Sequence, residues 1–248
     1  MNKTTEIIQA RTGSTRLPGK VMYRLGNDSA ICHVVNRVQA ADRVDEVVVA
    51  TSEAEHDKVA GMEASYAGAG IYRGSELDVL ERFYSAAEED ETDVVIRVTA
   101  DCPLVSPETI YALVDTLRRC DLDYVVVDKE SFPKGLGAEV FTCESLHRVW
   151  KTATDSHHRE HVTPYYREHK EEFDTGTVEY AEVFPNGFVP EHKIRLTLDA
   201  ADDYRLLKRI YDQVAVNDLF HVLTALRYVE EHNLYQINRH VRQKGVHD

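Results

Sequence analysis

The chain has 248 residues, 43% of them hydrophobic, which is enough for a packed core and argues against general disorder. Asp and Glu number 43 against 29 Lys and Arg, a formal charge of −14, which argues against the broad basic face of a protein that grips long nucleic acid and leaves room for a local basic pocket. No apolar run nears the roughly 20 residues needed to cross a bilayer, and residues 1–9 lack the apolar core of a secretion signal, so a cytoplasmic protein without a membrane partner is expected. The acidic balance fits a hydrated soluble surface or one adapted to high salt. Cys32, Cys102, Cys120 and Cys143 form no CxxC pair and read as core thiols.

In chain order, residues 6–10 read as a first strand, and residues 11–20 as a loop bearing Gly and Pro. Ile31, Val34, Val35 and Val38 recur at helical spacing over 30–41. The β-branched run 46–51 reads as a buried parallel strand. A weak helix over 53–67, a short strand over 70–73 and a helix over 77–89 follow. Residues 93–99 form another buried strand running into Ala100-Asp101-Cys102-Pro103. A helix over 107–119 opens on the cap Ser106 and on Pro107, and a strand covers 122–127. Beyond it the pattern loosens. Residues 135–141 read as a turn entering a strand, 143–154 as a helix, and 155–166 as polar and His-rich. Strands are expected over 178–184 and 194–198, and helices over 201–214 and 219–232.

Alternating strands and helices joined by short loops imply a mainly parallel sheet covered on both faces. In such sheets ligands sit beyond the carboxyl ends of the strands, where both Arg11 and Asp101 fall. The expectation is one domain over 1–248, with a less regular lobe around 130–195 for an acceptor or for oligomerisation.

The loop over 9–20, QARTGSTRLPGK, supplies two Gly, two Arg, one Lys and three hydroxyls straight after a strand. Glycine lets backbone N–H groups approach phosphate oxygens, and Arg11, Arg16 and Lys20 offer forked and point-charge donors. In a chain this acidic, such a group of cations calls for an anionic ligand. It is not the P-loop pattern, because Val21 follows Lys20. On composition alone an ordinary basic surface loop stays open.

Five segments in order resemble the sugar-acid cytidylyltransferases: QARTGSTRLPGKVM, YRGSELDVLERF, RVTADCPLV, REHVTPY and RLTLDAADDY. That family includes the CMP-Kdo and CMP-acylneuraminate synthetases, and the likeness is nearest to the spore coat polysaccharide biosynthesis protein SpsF group. The resemblance implies the nucleotide-diphospho-sugar transferase fold, a three-layer α/β/α sandwich. It also implies Mg²⁺-dependent transfer from CTP, or another nucleoside triphosphate, to an acidic small-molecule acceptor. The acceptor would be a nonulosonic-acid-like sugar or a phosphorylated small acid, and a homodimer is compatible with this reading.

Asp101 and Asp199 each follow a predicted strand, and Mg²⁺ accepts one or two carboxylates completed by water and phosphate oxygens. By resemblance Asp101 is the principal metal ligand and Asp199 the second, although Asp199 could instead cap the helix near Ala201. Asp202 and Asp203 read as helix N-terminal acids. Arg11, Lys20 and Asp101 form the catalytic set. Ala10, Arg11, Gly13, Ser14, Arg16, Lys20, Thr51, Arg73 and Ser75 form the nucleotide set, with Ser75 equally readable as a helix cap. Glu139, Arg159, His161 and Arg195 resemble acceptor-side positions. His157, His158, His161 and His169 lack a recognised zinc spacing. The chain departs from the family in Ala200-Ala201, where Thr-Pro is common, and in Ala100, where the Kdo enzymes have Gly. A glycosyltransferase of similar fold would carry an Asp-x-Asp motif where this chain has Asp101-Cys102-Pro103, and a non-catalytic nucleotide-binding protein is the third reading.

Overall fold

Residues 3–214 and 219–242 are described in the structure, a computed structural model. Strand β1 (Thr4–Gln9) starts the sheet, and a small hairpin of β2 (Arg24–Leu25) and β3 (Asp28–Ser29) follows the glycine-bearing loop. Helix α1 (Ala30–Gln39), β4 (Glu46–Ser52), α2 (Lys58–Tyr66), β5 (Gly70–Gly74), α3 (Val79–Glu89), β6 (Val94–Thr99), α4 (Pro107–Cys120) and β7 (Tyr124–Val127) then alternate. The second half holds β8 (Glu139–Thr142), α5 (Cys143–Thr152), α6 (Ser156–His161), α7 (Pro164–Glu168), β9 (Thr175–Val178) and α8 (Tyr180–Val183). Helices α9 (Ala201–Val214) and α10 (Val222–Glu231) complete the described chain.

Among the described residues a seven-stranded sheet runs in the order β5-β4-β1-β6-β8-β7-β9. Pairing is parallel except where β8 lies antiparallel between β6 and β7. Successive strand residues face opposite sides, so Ile7 and Ile8 feed different cores. Ile8, Val49 and Ile96 pack with Val34 and Val38 of α1, Ala60 of α2, and Leu113 and Leu117 of α4. On the other side Ile7, Val95 and Phe141 pack with Leu80 and Phe83 of α3, Val149 of α5 and Tyr166 of α7. This is the expected three-layer α/β/α sandwich. A further apolar cluster joins α9 and α10 to Ile194, Leu196 and Leu198. No helix among the described residues is long and apolar enough to cross a membrane.

The strand order reverses at β1 and β6, which pair from Thr4↔Val94 to Gln9↔Thr99, and their carboxyl ends open a crevice there. Helix α4 starts as the sequence reading had it: Ser106 accepts from the Thr109 N–H, with Pro107 in the first turn. Two expected strands differ. The run 178–184 contributes only its first residue to β9, because Glu179 and Glu182 form a reciprocal capping box that winds Tyr180–Val183 into α8. Residues 194–198 stay extended but pair with loops, Lys134 N–H donating to Ile194 O and Leu196 N–H to Lys134 O. The His-rich 155–166 forms all of α6 and the start of α7. Cys32 and Cys102 are buried as expected, Cys143 is half-buried, and Cys120 is exposed at the end of α4.

Glu6 stands out within β1. It is fully buried, its register partners are Val47 and Ile96, and neither carboxyl oxygen has a hydrogen-bond partner. Burial pushes its pKa well above the ordinary value, so the folded state favours the proton. Such a group costs stability as pH rises from its unfolded pKa towards its folded one. Glu6→Met is therefore expected to stabilise the protein by about 1–3 kcal/mol at pH 8, with a smaller gain at pH 5. Calorimetric melting of both proteins at the two pH values checks this, and an equal gain at both would refute it.

Candidate active site

The crevice is built where β1 ends. Ala10 is buried and extends the ladder, its N–H donating to Ala50 O at 3.2 Å, while Ala100 N–H donates to Gln9 O at 3.0 Å. The loop then folds on itself, with Thr12 O accepting from the Ser14 and Gly19 N–H groups at 2.9 Å each. Leu17 and Val21 pin it to the core. Gly19 adopts φ 66°, a left-handed turn that suits glycine and delivers Lys20 inward. No atoms crowd the position of a Cβ at Gly13, leaving space beside that backbone.

Asp57, which the sequence reading passed over, fixes the loop from the opposite side. Its Oδ1 accepts from Thr12 N–H at 2.7 Å and Thr12 Oγ1 at 2.6 Å, and its Oδ2 accepts from the Ser52 hydroxyl. Burial pushes its pKa up, but these three hydrogen bonds outweigh it and hold the carboxyl below its ordinary value. Asp57 occupies the N-cap position of α2 yet makes no capping hydrogen bond to that helix.

At the crevice floor Lys20 Nζ lies 2.5 Å from Asp101 Oδ2 and 2.8 Å from Asp199 Oδ1. The backbone brings the two carboxylates together: Leu198 N–H donates to Asp101 O at 2.8 Å, and Thr99 Oγ1 to Asp101 Oδ1 at 2.5 Å. Arg195 grips Asp199 Oδ2, and Arg16 approaches Asp199 Oδ1 at 3.3 Å. Burial opposes ionisation of Asp199, but Lys20, Arg195 and Arg16 prevail and hold its pKa down at about 2. Lys20 is likewise opposed by burial and raised by both aspartates.

Behind them Asp203 is fully buried and accepts from the Asp199 and Ala200 N–H groups at 3.0 and 2.9 Å. It also binds Arg195 Nε at 3.0 Å and Asn238 Nδ2 at 2.8 Å. The helix-terminal acid of the sequence reading is thus the anchor of the Asp199 turn. Gly135 lets the neighbouring loop press on it, since a Cβ there would lie 2.7 Å from Leu196 C. Cys102 Sγ also lies beside Asp101, 3.7 Å from Oδ1, and no cluster of three or more metal-ligating side chains occurs among the described residues.

Residues 5–240 match the family model for cytidylyltransferases. The chain belongs to the cytidylyltransferase family. It is 35% identical over 219 residues to the spore coat polysaccharide biosynthesis protein SpsF of Bacillus subtilis, covering 86% of this chain and 88% of that one. A 3-deoxy-manno-octulosonate cytidylyltransferase of Anaeromyxobacter is 36% identical over 120 residues, 48% of either chain. A cytidylyltransferase structure from Leptospira borgpetersenii superposes with TM-score 0.88 at 26% identity, covering 98% of this chain and all (100%) of the other. Family membership makes the chain a nucleotidyltransferase.

The remaining family-like residues fall in two places. Arg11 reaches from the loop to α6, 3.5 Å from Glu160, with 44% of its side chain exposed. Ser14 stays in the loop, its Oγ accepting from Leu17 N–H at 3.4 Å. Thr51 is buried at the end of β4 opposite Arg73, whose guanidinium donates to Ser52 O and Ala54 O at 3.0 and 2.8 Å. Ser75 does not cap α3. Asp78 does, accepting from Glu81 N–H, while Ser75 Oγ accepts from Asp78 N–H.

Arg159 is locked away from the crevice. Its guanidinium clasps both oxygens of Asp78 and donates to Trp150 O, tying α6 to the start of α3. Glu139 is buried among Arg97, Arg167, Tyr124 and Thr163, and Arg195 sits in the Asp199 cluster. His161 lies at the surface of α6 against His157, and desolvation, with His157, Arg97 and Arg11 nearby, lowers its pKa.

Asp57→Ala would strand the Thr12 N–H and hydroxyl and the Ser52 hydroxyl. A loss of about 3 kcal/mol of stability is expected, with a CTP affinity that falls further than that of a loop-remote variant of equal stability. Urea unfolding and CTP titration measure the two, and an unchanged unfolding midpoint would remove Asp57 as the tether.

Proposed function

We propose that this protein transfers the cytidylyl group of CTP to an acidic sugar, releasing pyrophosphate, in the cytoplasmic stage of a surface polysaccharide pathway. The observation that carries this reading is the placement of Lys20 between the strand-end carboxylates Asp101 and Asp199, at the mouth of a loop with open backbone at Gly13. The 3-deoxy-manno-octulosonate relative supports the acidic sugar, and the SpsF relative supports the polysaccharide pathway. Four thiols, none in a disulfide, suit a reducing compartment.

The donor set fits a divalent ion. Two carboxylates offer oxygen alone, and the Lys20 ammonium already occupies a cation's place between them. Mg²⁺ takes one or two carboxylates and fills its shell with water and phosphate oxygens. Asp101 would be the principal ligand and Asp199 the second. The ion would supply neutralisation of the charge that develops as pyrophosphate departs.

The chain's own groups do the rest. Arriving phosphates draw Lys20 off the aspartates, which frees their inner oxygens. Lys20, Arg11 and Arg16 hold the β- and γ-phosphates, with the Gly13 and Ser14 backbone beneath them. Ala10, Thr51, Arg73 and Ser75 frame the base and ribose at the ends of β1, β4 and β5, where Arg73 stiffens the backbone rather than reaching outward. The segment 130–195 forms the acceptor lobe, with His161 and Arg195 at its border with the crevice and Glu139 ordering its arginines. Arg159 braces this lobe. The acceptor oxygen then bonds to the α-phosphorus as the bond to pyrophosphate breaks, a step that needs positioning and charge neutralisation and no protein nucleophile.

Pyrophosphate release is measured with each of the four common nucleoside triphosphates, Mg²⁺ and a panel of acidic sugars including 3-deoxy-manno-octulosonate. CTP is expected to be preferred, and no release with any pair sinks the reading. Asp101→Asn should lower kcat by at least about 100-fold while leaving the melting curve cooperative. Lys20→Ala should raise KM for CTP by roughly 10- to 100-fold, the worth of a charged hydrogen bond. An unchanged KM and kcat in Lys20→Ala would show that the loop does not hold the triphosphate.

A further inference from the structure

The turn that carries Asp199 is closed by a residue that arrives from beyond α10. Asn238 is 1% exposed, and its side-chain amide donates twice, to Arg195 O at 2.9 Å and to Asp203 Oδ1 at 2.8 Å. Arg195 and Asp203 are the two ends of the segment 195–203, and Asp199 is its middle residue. One planar amide therefore staples both ends of the segment that presents the carboxylate.

The chain around Asn238 is built to bring it there. Leu234 is buried in the apolar cluster of α9 and α10, and Ile237 packs against the same cluster. After Asn238 a turn closes, with Val241 N–H donating to Asn238 O at 2.9 Å. His240 Nε2 lies 3.1 Å from Asp202 Oδ2, and Arg242 O accepts from Arg16 Nη1 at 3.1 Å. Asn238 is thus fixed from both sides, and its neighbours touch the start of α9 and the loop that carries Lys20.

Both groups that Asn238 holds act on Asp199. Asp203 Oδ2 accepts from the Asp199 and Ala200 N–H groups, which sets the backbone of the turn. Arg195 donates through Nε to Asp203 Oδ1 at 3.0 Å and through Nη2 to Asp199 Oδ2, which sets the side chain. With Oδ2 held by Arg195, Oδ1 is the oxygen turned to the cations, 2.8 Å from Lys20 Nζ and 3.3 Å from Arg16 Nη2. That oxygen is the one a divalent ion would take as Lys20 leaves. Without the amide, the fully buried Asp203 and the Arg195 carbonyl each lose a donor, a cost that the turn relieves by moving.

We propose that Asn238 is a positioning residue for nucleotidyl transfer: through Arg195 and Asp203 it aims Asp199 Oδ1 at the divalent ion that accompanies the triphosphate. It touches neither substrate nor ion. The proposal rests on the metal role given to Asp199 in the cytidylyl-transfer reading, and it makes the segment after α10 part of the active-site frame.

Calorimetric titration of CTP into the full chain without acceptor, once with Mg²⁺ and once with EDTA, tests it in the absence of turnover. Wild type is expected to bind CTP more tightly with Mg²⁺, and the ratio of the two constants measures the share of the ion. Asn238→Ala should lower that ratio by about 10-fold, with affinity in EDTA within about twofold of wild type. Asn238→Leu has nearly the same shape and no donors, so it should do the same and keeps the test open should the alanine variant fail to fold. In an Asp199→Asn background Asn238→Ala should change the ratio by less than about twofold, because it acts through Asp199. An unchanged ratio in a folded Asn238 variant overturns the proposal. An equal loss with Mg²⁺ and with EDTA, the mark of general loosening, overturns it too, as does a further fall in the Asp199→Asn background. A wild type that binds no CTP, or whose CTP affinity ignores Mg²⁺, refutes the underlying reading of the site, and the proposal falls with it.

Discussion

The ammonium of Lys20 holds two carboxylates that would otherwise repel each other in a half-enclosed crevice. At about 4 Å and an effective dielectric near 20, two like charges oppose each other by about 4 kcal/mol, so Asp101 and Asp199 need a cation between them to share the site. The rest of the active-site architecture supplies the two sides of that contact. The turn at Gly19, tied through Thr12 to Asp57, carries Lys20 in. The backbone bond from Leu198 to Asp101, with Asp203 and Asn238 behind it, carries Asp199 in. In the proposed reaction, an arriving triphosphate would offer Lys20 another partner and leave Asp101 and Asp199 to hold a divalent ion.

The alternation of strand and helix was legible because parallel strands buried on both faces must be β-branched and continuous, as β4 and β6 are. The convergence of the loop after β1 with Asp101 was legible for the same reason, since the carboxyl ends of adjacent parallel strands share an edge. Asp57 was not, because nothing in its local sequence separates it from the acids around it, and its hydrogen bonds cross to a loop far away in the chain. Asp203 read as a helix-end acid and is a buried anchor, a distinction that depends on Arg195 and Asn238 arriving from elsewhere.

The misread strands share one cause. Period-two alternation gives the side-chain direction of an extended segment without saying what it pairs with. Ile194, Leu196 and Leu198 do all point into a core, but their backbone groups are satisfied by loops near Lys134 and Asp101. Over 178–184 the expected strand was overruled by Glu179 and Glu182, whose reciprocal capping satisfies backbone donors locally and favours one helical turn. In both places a few side-chain and loop hydrogen bonds decide among backbone forms that the apolar pattern leaves close in energy.

Charge is also divided along β6. At its end Thr99 and Asp101 face a cluster in which Lys20, Arg16 and Arg195 are ion-paired with Asp101, Asp199 and Asp203, with Lys134 in the same field. Two residues back, Arg97 shares the carboxylate of Glu139 with Arg167. Gln9 and Thr99 separate the two without insulating them, since Gln9 takes a hydrogen bond from Arg97 and Thr99 gives one to Asp101.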